Sequence, residues 1–206
     1  MSEIRNGYDR VTNILSKFSG LDRIDPEVLA NAAARGTLCH ILIDAHILDS
    51  SSFSDKAIER GVGCYSRDPE HYKKEIKLVT KMMQSYFKWA EGKVFIKKPD
   101  RFYDDEYLIT GECDQIYQTK EGLVLVDFKT PAAESKTWFL QASAYHYMAH
   151  REGYFVERVE FIQLDRTGGC AKTYTYKTCW ELFEAVLDTY RYFYKDEKQD
   201  IELDYI

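Results

Sequence analysis

Residues 123–129 read LVLVDFK, an apolar run of strand length that ends in an acid and a base. Side chains alternate along a strand, so Val124, Val126 and Phe128 share one face while Leu123, Leu125, Asp127 and Lys129 share the other. An Asp and a Lys aimed the same way at the end of such a strand are unusual on packing grounds, because burying either is costly without a partner. Taken alone, the Asp-x-Lys pair is better read as a strand-end ion pair or a solvated edge.

The rest of the chain supplies what such a strand needs around it. Residues 26–49 are rich in Ala and Leu and read as a helix, with Asp25 as N-cap and Pro26 in its first turn; Gly36 interrupts the pattern as a break between two helices. Residues 50–69 read as a polar loop or short helical excursion, and 70–89 as an amphipathic helix. Residues 93–97, 107–117 and 123–129 are strand-like, the last two joined by the turn at 119–122. A helix over 135–152, closed by Gly153, two strands over 156–165 and 171–176, a helix over 180–194 and a frayed polar tail complete the order. Helices, a three-strand meander, a helix, two strands and a helix predict an α/β fold in one domain, a mixed β-sheet flanked by helices, with the core at about 26–195.

The 206 residues are 45% hydrophobic and 30% charged, enough for a core, and no run is long and apolar enough for a membrane span. Cys39, Cys64, Cys113, Cys170 and Cys179 are odd in number and scattered, without CxxC spacing or an export signal. They predict reduced thiols, an intracellular, cytoplasmic setting, and no zinc ribbon or iron–sulfur cluster. The net charge of −6 weighs against tight, non-specific gripping of duplex DNA. Basic residues do gather locally, at Lys73, Lys74, Lys77, Lys81 and Lys88, then at Lys93, Lys97, Lys98 and Arg101.

Several side chains join Asp127 and Lys129 as candidates. The turn at 119–122 brings Asp114, on the preceding strand, back toward Asp127. Two carboxylates converging at a sheet end repel unless a cation lies between them, and hard oxygen ligands suit Mg²⁺ or Mn²⁺. Gly111 allows a close backbone approach or a bulge beside that place. Gln141 and Tyr145, four residues apart, occupy one helix face, from which polar tips can orient Lys129 or meet a phosphate; a core tyrosine with a locally satisfied hydroxyl is the plainer alternative. His40 and Asp44 have the same spacing, although a lone helical His is more often structural than metal-bound. Tyr72, Tyr86, Phe102, Tyr103 and Trp138 are available for stacking on unpaired bases, or for the core.

The ordered set Gly36-Thr37-x-x-His40, Gly111-x-x-Asp114, Asp127-x-Lys129-Thr130 and Gln141-x-x-x-Tyr145, over roughly residues 30–150, resembles the RecB-like branch of the PD-(D/E)XK nuclease superfamily, which includes phage and CRISPR-associated exonucleases. The resemblance implies a restriction-endonuclease-like α/β core and Mg²⁺- or Mn²⁺-dependent hydrolysis of DNA, as an exonuclease of recombination, repair or phage DNA metabolism in a bacterial or phage-infected cell. It implies that Asp114, Asp127, His40 and the Phe128 backbone carbonyl hold the metal, that Lys129 activates the water and stabilises charge, and that Gln141 and Tyr145 support Lys129 and the DNA backbone. Many members carry Glu where this chain has Asp127, and the four-cysteine cluster of some relatives is absent. A homo-oligomer or a recombination partner protein belongs to the same expectation. Three rival readings are a catalytically inactive nuclease-fold accessory subunit, an interaction domain with no active site, and a nuclease acting on RNA or on modified or structured DNA.

Overall fold

The computed structural model describes residues 5–48 and 54–195. Its elements run β1 (Asp9–Arg10), α1 (Val11–Ser16), a 3-10 turn (Leu21–Arg23), α2 (Pro26–Leu48), α3 (Asp55–Gly63), α4 (Pro69–Ala90), β2 (Val94–Lys97), β3 (Phe102–Asp104), β4 (Ile109–Gly111), β5 (Gln115–Gln118), β6 (Leu123–Lys129), α5 (Thr137–Arg151), β7 (Val156–Gln163), β8 (Lys172–Thr175) and α6 (Trp180–Tyr194). The architecture is mixed α/β. A five-stranded sheet has the order β2-β5-β6-β7-β8, with β6 and β7 parallel and the other neighbours antiparallel. A smaller sheet has the order β1-β4-β3, parallel and then antiparallel.

Strand β6 is covered on both sides, and the alternation of its side chains divides the core in two. Val124, Val126 and Phe128 pack with Leu38, Ile43, Val79, Met82 and Tyr86 of α2 and α4. Leu125 faces the opposite way, into a cluster with Trp138, Tyr145, Met148, Phe183 and Leu187 of α5 and α6. Phe128 is closed in by edge-on contacts with Tyr86 and Trp89, at ring distances of 5.4 and 5.3 Å. Deleting so enclosed a ring leaves a cavity, and losses of about 3–5 kcal/mol are usual for such a truncation.

Local chemistry sets the element ends. The Asp25 carboxylate accepts from the Glu27 and Val28 amides at 2.9 and 3.2 Å, capping the helix that Pro26 begins, and Asp68 caps α4 in the same way through His71. Between β5 and β6 the Thr119 amide donates to the Gly122 carbonyl, and Gly122 adopts φ +146, which favours glycine.

The sequence expectations need correction at several points. Gly36 does not break α2, which runs unbroken across it; a Cβ there would lie 3.2 Å from the Thr130 hydroxyl, so a helix residue with almost no bulk lets α2 approach the end of β6. Residues 107–117 are not one strand. Its first part, β4, joins the small sheet and its second, β5, the large one, with 112–114 as the switch. The segment 50–69 contains α3, capped by Ser54. Tyr86, Phe102 and Trp138 are core residues, which removes them as stacking platforms. The tail after residue 195 lies outside the described residues. Among those described, no helix is long and apolar enough to cross a membrane.

All five cysteines are free; Cys39 and Cys113 are buried, while Cys64 and Cys170 are exposed. Burial pushes the Cys39 thiol from 9.0 up to about 12. The folded group therefore stays neutral where the unfolded one ionises, so its contribution to stability is complete below pH about 9 and is lost as pH rises toward 12. Urea midpoints should fall between pH 8 and 10.5, and Cys39→Ala should make that fall shallower even though buried tyrosines share the trend. A thiol reagent should label Cys64 and Cys170 first, with Cys39 and Cys113 protected until the chain unfolds; fast native labelling at Cys39 would contradict this packing.

Candidate functional site

Asp114 stands where the chain crosses from one sheet to the other. Its amide donates to the Val126 carbonyl at 3.0 Å, and its carboxylate accepts from the Phe128 amide at 2.6 Å. The side chain thus replaces the ladder partner that β5, beginning only at Gln115, does not provide to the end of β6. The amide and carbonyl of one strand residue point to the same edge, so the Phe128 carbonyl is directed to this edge as well. Phe128 lines the cleft although its ring packs against Tyr86 and Trp89 on the other face of β6, which makes its main chain the part nearest the opening.

Around that edge the expected side chains meet. His40 Nδ1, on α2, lies 2.7 Å from the second oxygen of Asp114. Lys129 Nζ is 2.6 Å from Asp127 and donates to Gln141 Oε1 at 2.8 Å; Gln141 in turn donates to the Tyr145 hydroxyl at 2.8 Å. The ammonium also sits 4.5 Å from the centre of the Phe161 ring. Asp127 is 6% exposed and Gln141 5%, so the Lys129 head is held among buried partners rather than in solvent. The face of α5 that carries Gln141 and Tyr145 comes close because Gly111 faces it: a Cβ there would meet Tyr145 and Met148 atoms at 2.7 and 2.6 Å.

The two carboxylates have different electrostatics. Burial tends to raise the Asp114 pKa, but His40, the Phe128 amide and Lys129 outweigh it and hold the group below its ordinary value. For Asp127 burial is again the largest influence; Lys129 opposes it and the charge of Asp114 adds to it, and the result is a raised value despite the short ion pair. His40 is pulled down by burial and up, more strongly, by Asp114 and Asp127, so its imidazolium is favoured.

These groups line a cleft of about 650 Å³. Its walls include other charges: Lys98, 2.6 Å from Asp44 and 3.8 Å from Glu112; Arg101, paired with Glu112; and Arg10, just before α1. Lys98 and Arg101 come from the basic stretch noted in the sequence. The remaining lysines of that stretch line no part of this cleft. Arg10 and Glu112 carry no sequence signal, since neither a two-residue strand nor the short switch between the sheets has a periodicity to read.

By donor chemistry, two carboxylates, an imidazole and a carbonyl fit a hard divalent ion, with the imidazole better suited to Mn²⁺ than to Mg²⁺. By position the fit is conditional. Among the described residues no three His, Cys, Asp or Glu side chains form a ready ligand cluster. Asp114 is closed on His40 and Asp127 on Lys129, so an ion would have to open both contacts. Cys113, although buried beside Asp114, is a soft donor whose thiol burial raises strongly, and it does not join the set.

No family model matches the chain, and no curated protein does. Among solved structures, SSO0001 is 9% identical, with 92% of this chain and 77% of that one covered at a TM-score of 0.40. A protein of Eubacterium rectale named "Putative exonuclease" is 10% identical, with 93% and 84% covered at a TM-score of 0.46. Similarity this remote bears on neither activity nor substrate.

The His40–Asp114 contact has a direct readout. In chelator-treated protein the His40 imidazole should titrate above 6.5 by NMR, and Asp114→Asn, which removes its counter-charge, should bring it down. A wild-type value at or below 6.5 would disprove the pairing.

Proposed function

We propose that this chain is a metal-dependent nuclease of the PD-(D/E)XK type that hydrolyses DNA phosphodiester bonds, with Asp114, Asp127, His40 and the Phe128 carbonyl as the residues that would hold Mg²⁺ or Mn²⁺. The observation that carries the reading is the meeting of Asp114, Asp127, Lys129 and Gln141 in one open cleft at the end of β6. A bound divalent ion supplies a hydroxide-like nucleophile at neutral pH and withdraws charge from the phosphate.

The protein's own part is electrostatic and positional. Asp114, held ionised by the Phe128 amide and His40, is a carboxylate already prepared to act as a ligand. Lys129 presents a cation where negative charge grows on the phosphate during attack, and a donor fixed in advance for that place is worth more than one that must be ordered during reaction. Gln141 is a positioning residue: it accepts from Lys129 and is itself fixed by Tyr145. On the resemblance to phage and RecB-like exonucleases, cleavage begins from a DNA end, in recombination, repair or phage DNA metabolism.

A second reading has an observation of its own. The closed pairs Asp114–His40 and Asp127–Lys129 are what a nuclease fold acting only as an accessory or DNA-binding subunit would retain for stability. Incubation with end-labelled linear and circular DNA, in Mg²⁺, Mn²⁺ or chelator, separates the two. The expected result is metal-dependent loss of linear DNA only. Lys129→Ala should lower the cleavage rate by about 10²–10³-fold or more, as for removal of a key charge-stabilising donor, while circular dichroism and most DNA binding stay unchanged. An uncleaved linear substrate under every metal condition would favour the accessory reading, and a fully active Lys129→Ala protein would remove Lys129 from the chemistry.

A further inference from the structure

Four basic side chains line the cleft, and they differ in what they already hold. Lys98 is bound to Asp44 at 2.6 Å, Arg101 to Glu112, and Lys129 to Asp127 at 2.6 Å. Arg10 is exposed and, among the described residues, makes no hydrogen bond, ion pair or ring contact with its guanidinium. An anion entering the cleft meets each of the first three with its charge already offset by a carboxylate. Among the described residues Arg10 carries no such counter-charge.

The backbone that carries Arg10 is held in place. In β1 it pairs with Thr110 of β4, and its neighbour Asp9 donates its amide to the Leu108 carbonyl at 2.8 Å. Successive strand residues point to opposite sides, so when the Asp9 carboxylate turns to Lys195 at the end of α6, at 2.7 Å, Arg10 turns to the cleft. The β3–β4 connection beneath is tied to the same helix, through Tyr107 to Glu184 at 2.7 Å and through Arg191 to the Tyr107 carbonyl. A free guanidinium on an anchored backbone, beside a site for phosphodiester chemistry, has the character of a substrate-binding group.

We propose that Arg10 binds a backbone phosphate of the DNA strand seated in the cleft, beside the phosphate engaged by Lys129. The assignment rests on the nuclease reading above and adds to it a residue from the N-terminal segment, outside the stretch that carries the family resemblance. Arg10 contributes binding, whereas Lys129 contributes to the chemical step.

Fluorescence anisotropy with a labelled 12-nucleotide single strand and the matching duplex, in chelator and across a salt series, tests this directly. Arg10→Ala should weaken binding about five- to tenfold at low salt and lower the log–log salt slope by about one, as expected for one lost phosphate contact. Arg10→Lys should restore most of the slope. Arg60→Ala, which removes the same charge from the exposed face of α3, should change neither. With metal present, Arg10→Ala should raise KM and leave kcat nearly unchanged. Wild-type binding with an unchanged affinity and slope in Arg10→Ala would overturn the Arg10 assignment and leave the nuclease reading standing. A wild-type chain that neither binds nor cleaves either probe would overturn both. A fall in kcat at constant KM would place Arg10 in the chemical step and refute a binding role.

Discussion

Strand β6 must satisfy two cores at once, and that demand fixes almost everything around it. Its register with β7 runs from Leu123 against Val156 to Lys129 against Gln163, and with β5 from Leu123 against Gln118 to Val126 against Gln115. A slip of one residue would turn Asp127 toward Tyr86 and Trp89 and turn Phe128 into the cleft, exchanging a buried ring for a buried charge. The apolar residues before Asp127 thus do more than fill space. They aim the two charged residues at the end of the strand toward α5, where Gln141 accepts from Lys129 and is itself held by the Tyr145 hydroxyl.

The cost of that aim appears in the charges. Asp114 and Asp127 are both largely withdrawn from water, and a buried carboxylate without a partner costs several kcal/mol. The chain offsets this locally, with His40 and the Phe128 amide on one carboxylate and Lys129 on the other. The offset is uneven. Asp114 ends below its ordinary pKa, while for Asp127 burial and the charge of Asp114 outweigh Lys129 and the weaker influence of His40 and leave it raised. Two neighbouring acids with pKa values moved in opposite directions are more common at working sites than at structural ion pairs, although networks of ion pairs also produce the pattern.

Most of the secondary structure was legible because it repeats. The helix over 180–194 and the strand over 123–129 match α6 and β6 end for end, and the two-faced division of β6 follows directly from alternation. The meeting of Asp114, Lys129, Gln141 and Tyr145 was legible for a related reason: a tight turn and a four-residue helical spacing are short-range geometry. What could not be read depends on contacts distant in sequence. Nothing local shows that residues 107–117 divide between two sheets, because both parts have strand composition, and the division is decided by β1 and β3, each too short to announce itself. Glycine weakens a helix, which is why Gly36 reads as a break, but the cost is only about 1 kcal/mol and α2 continues across it. The tertiary reason for a small residue there, the approach of α2 to Thr130, lies nearly a hundred positions away.

The acidic balance of the chain acquires a different meaning once the cleft is described. Net charge governs long-range attraction and solubility, but a bound strand meets the local field. Within the cleft Asp44, Glu112, Asp114 and Asp127 face Lys98, Arg101, Lys129 and Arg10, so opposed charges nearly cancel there. A phosphate strand entering such a place exchanges partners rather than adding to an excess of positive charge. Affinity under those conditions is modest and depends strongly on how many internal pairs must open, which makes the few unengaged donors disproportionately important. The anchoring of β1 to β4 and to the end of α6 then has a physical purpose beyond the small sheet itself: it holds one such donor at the rim without using its charge to do so.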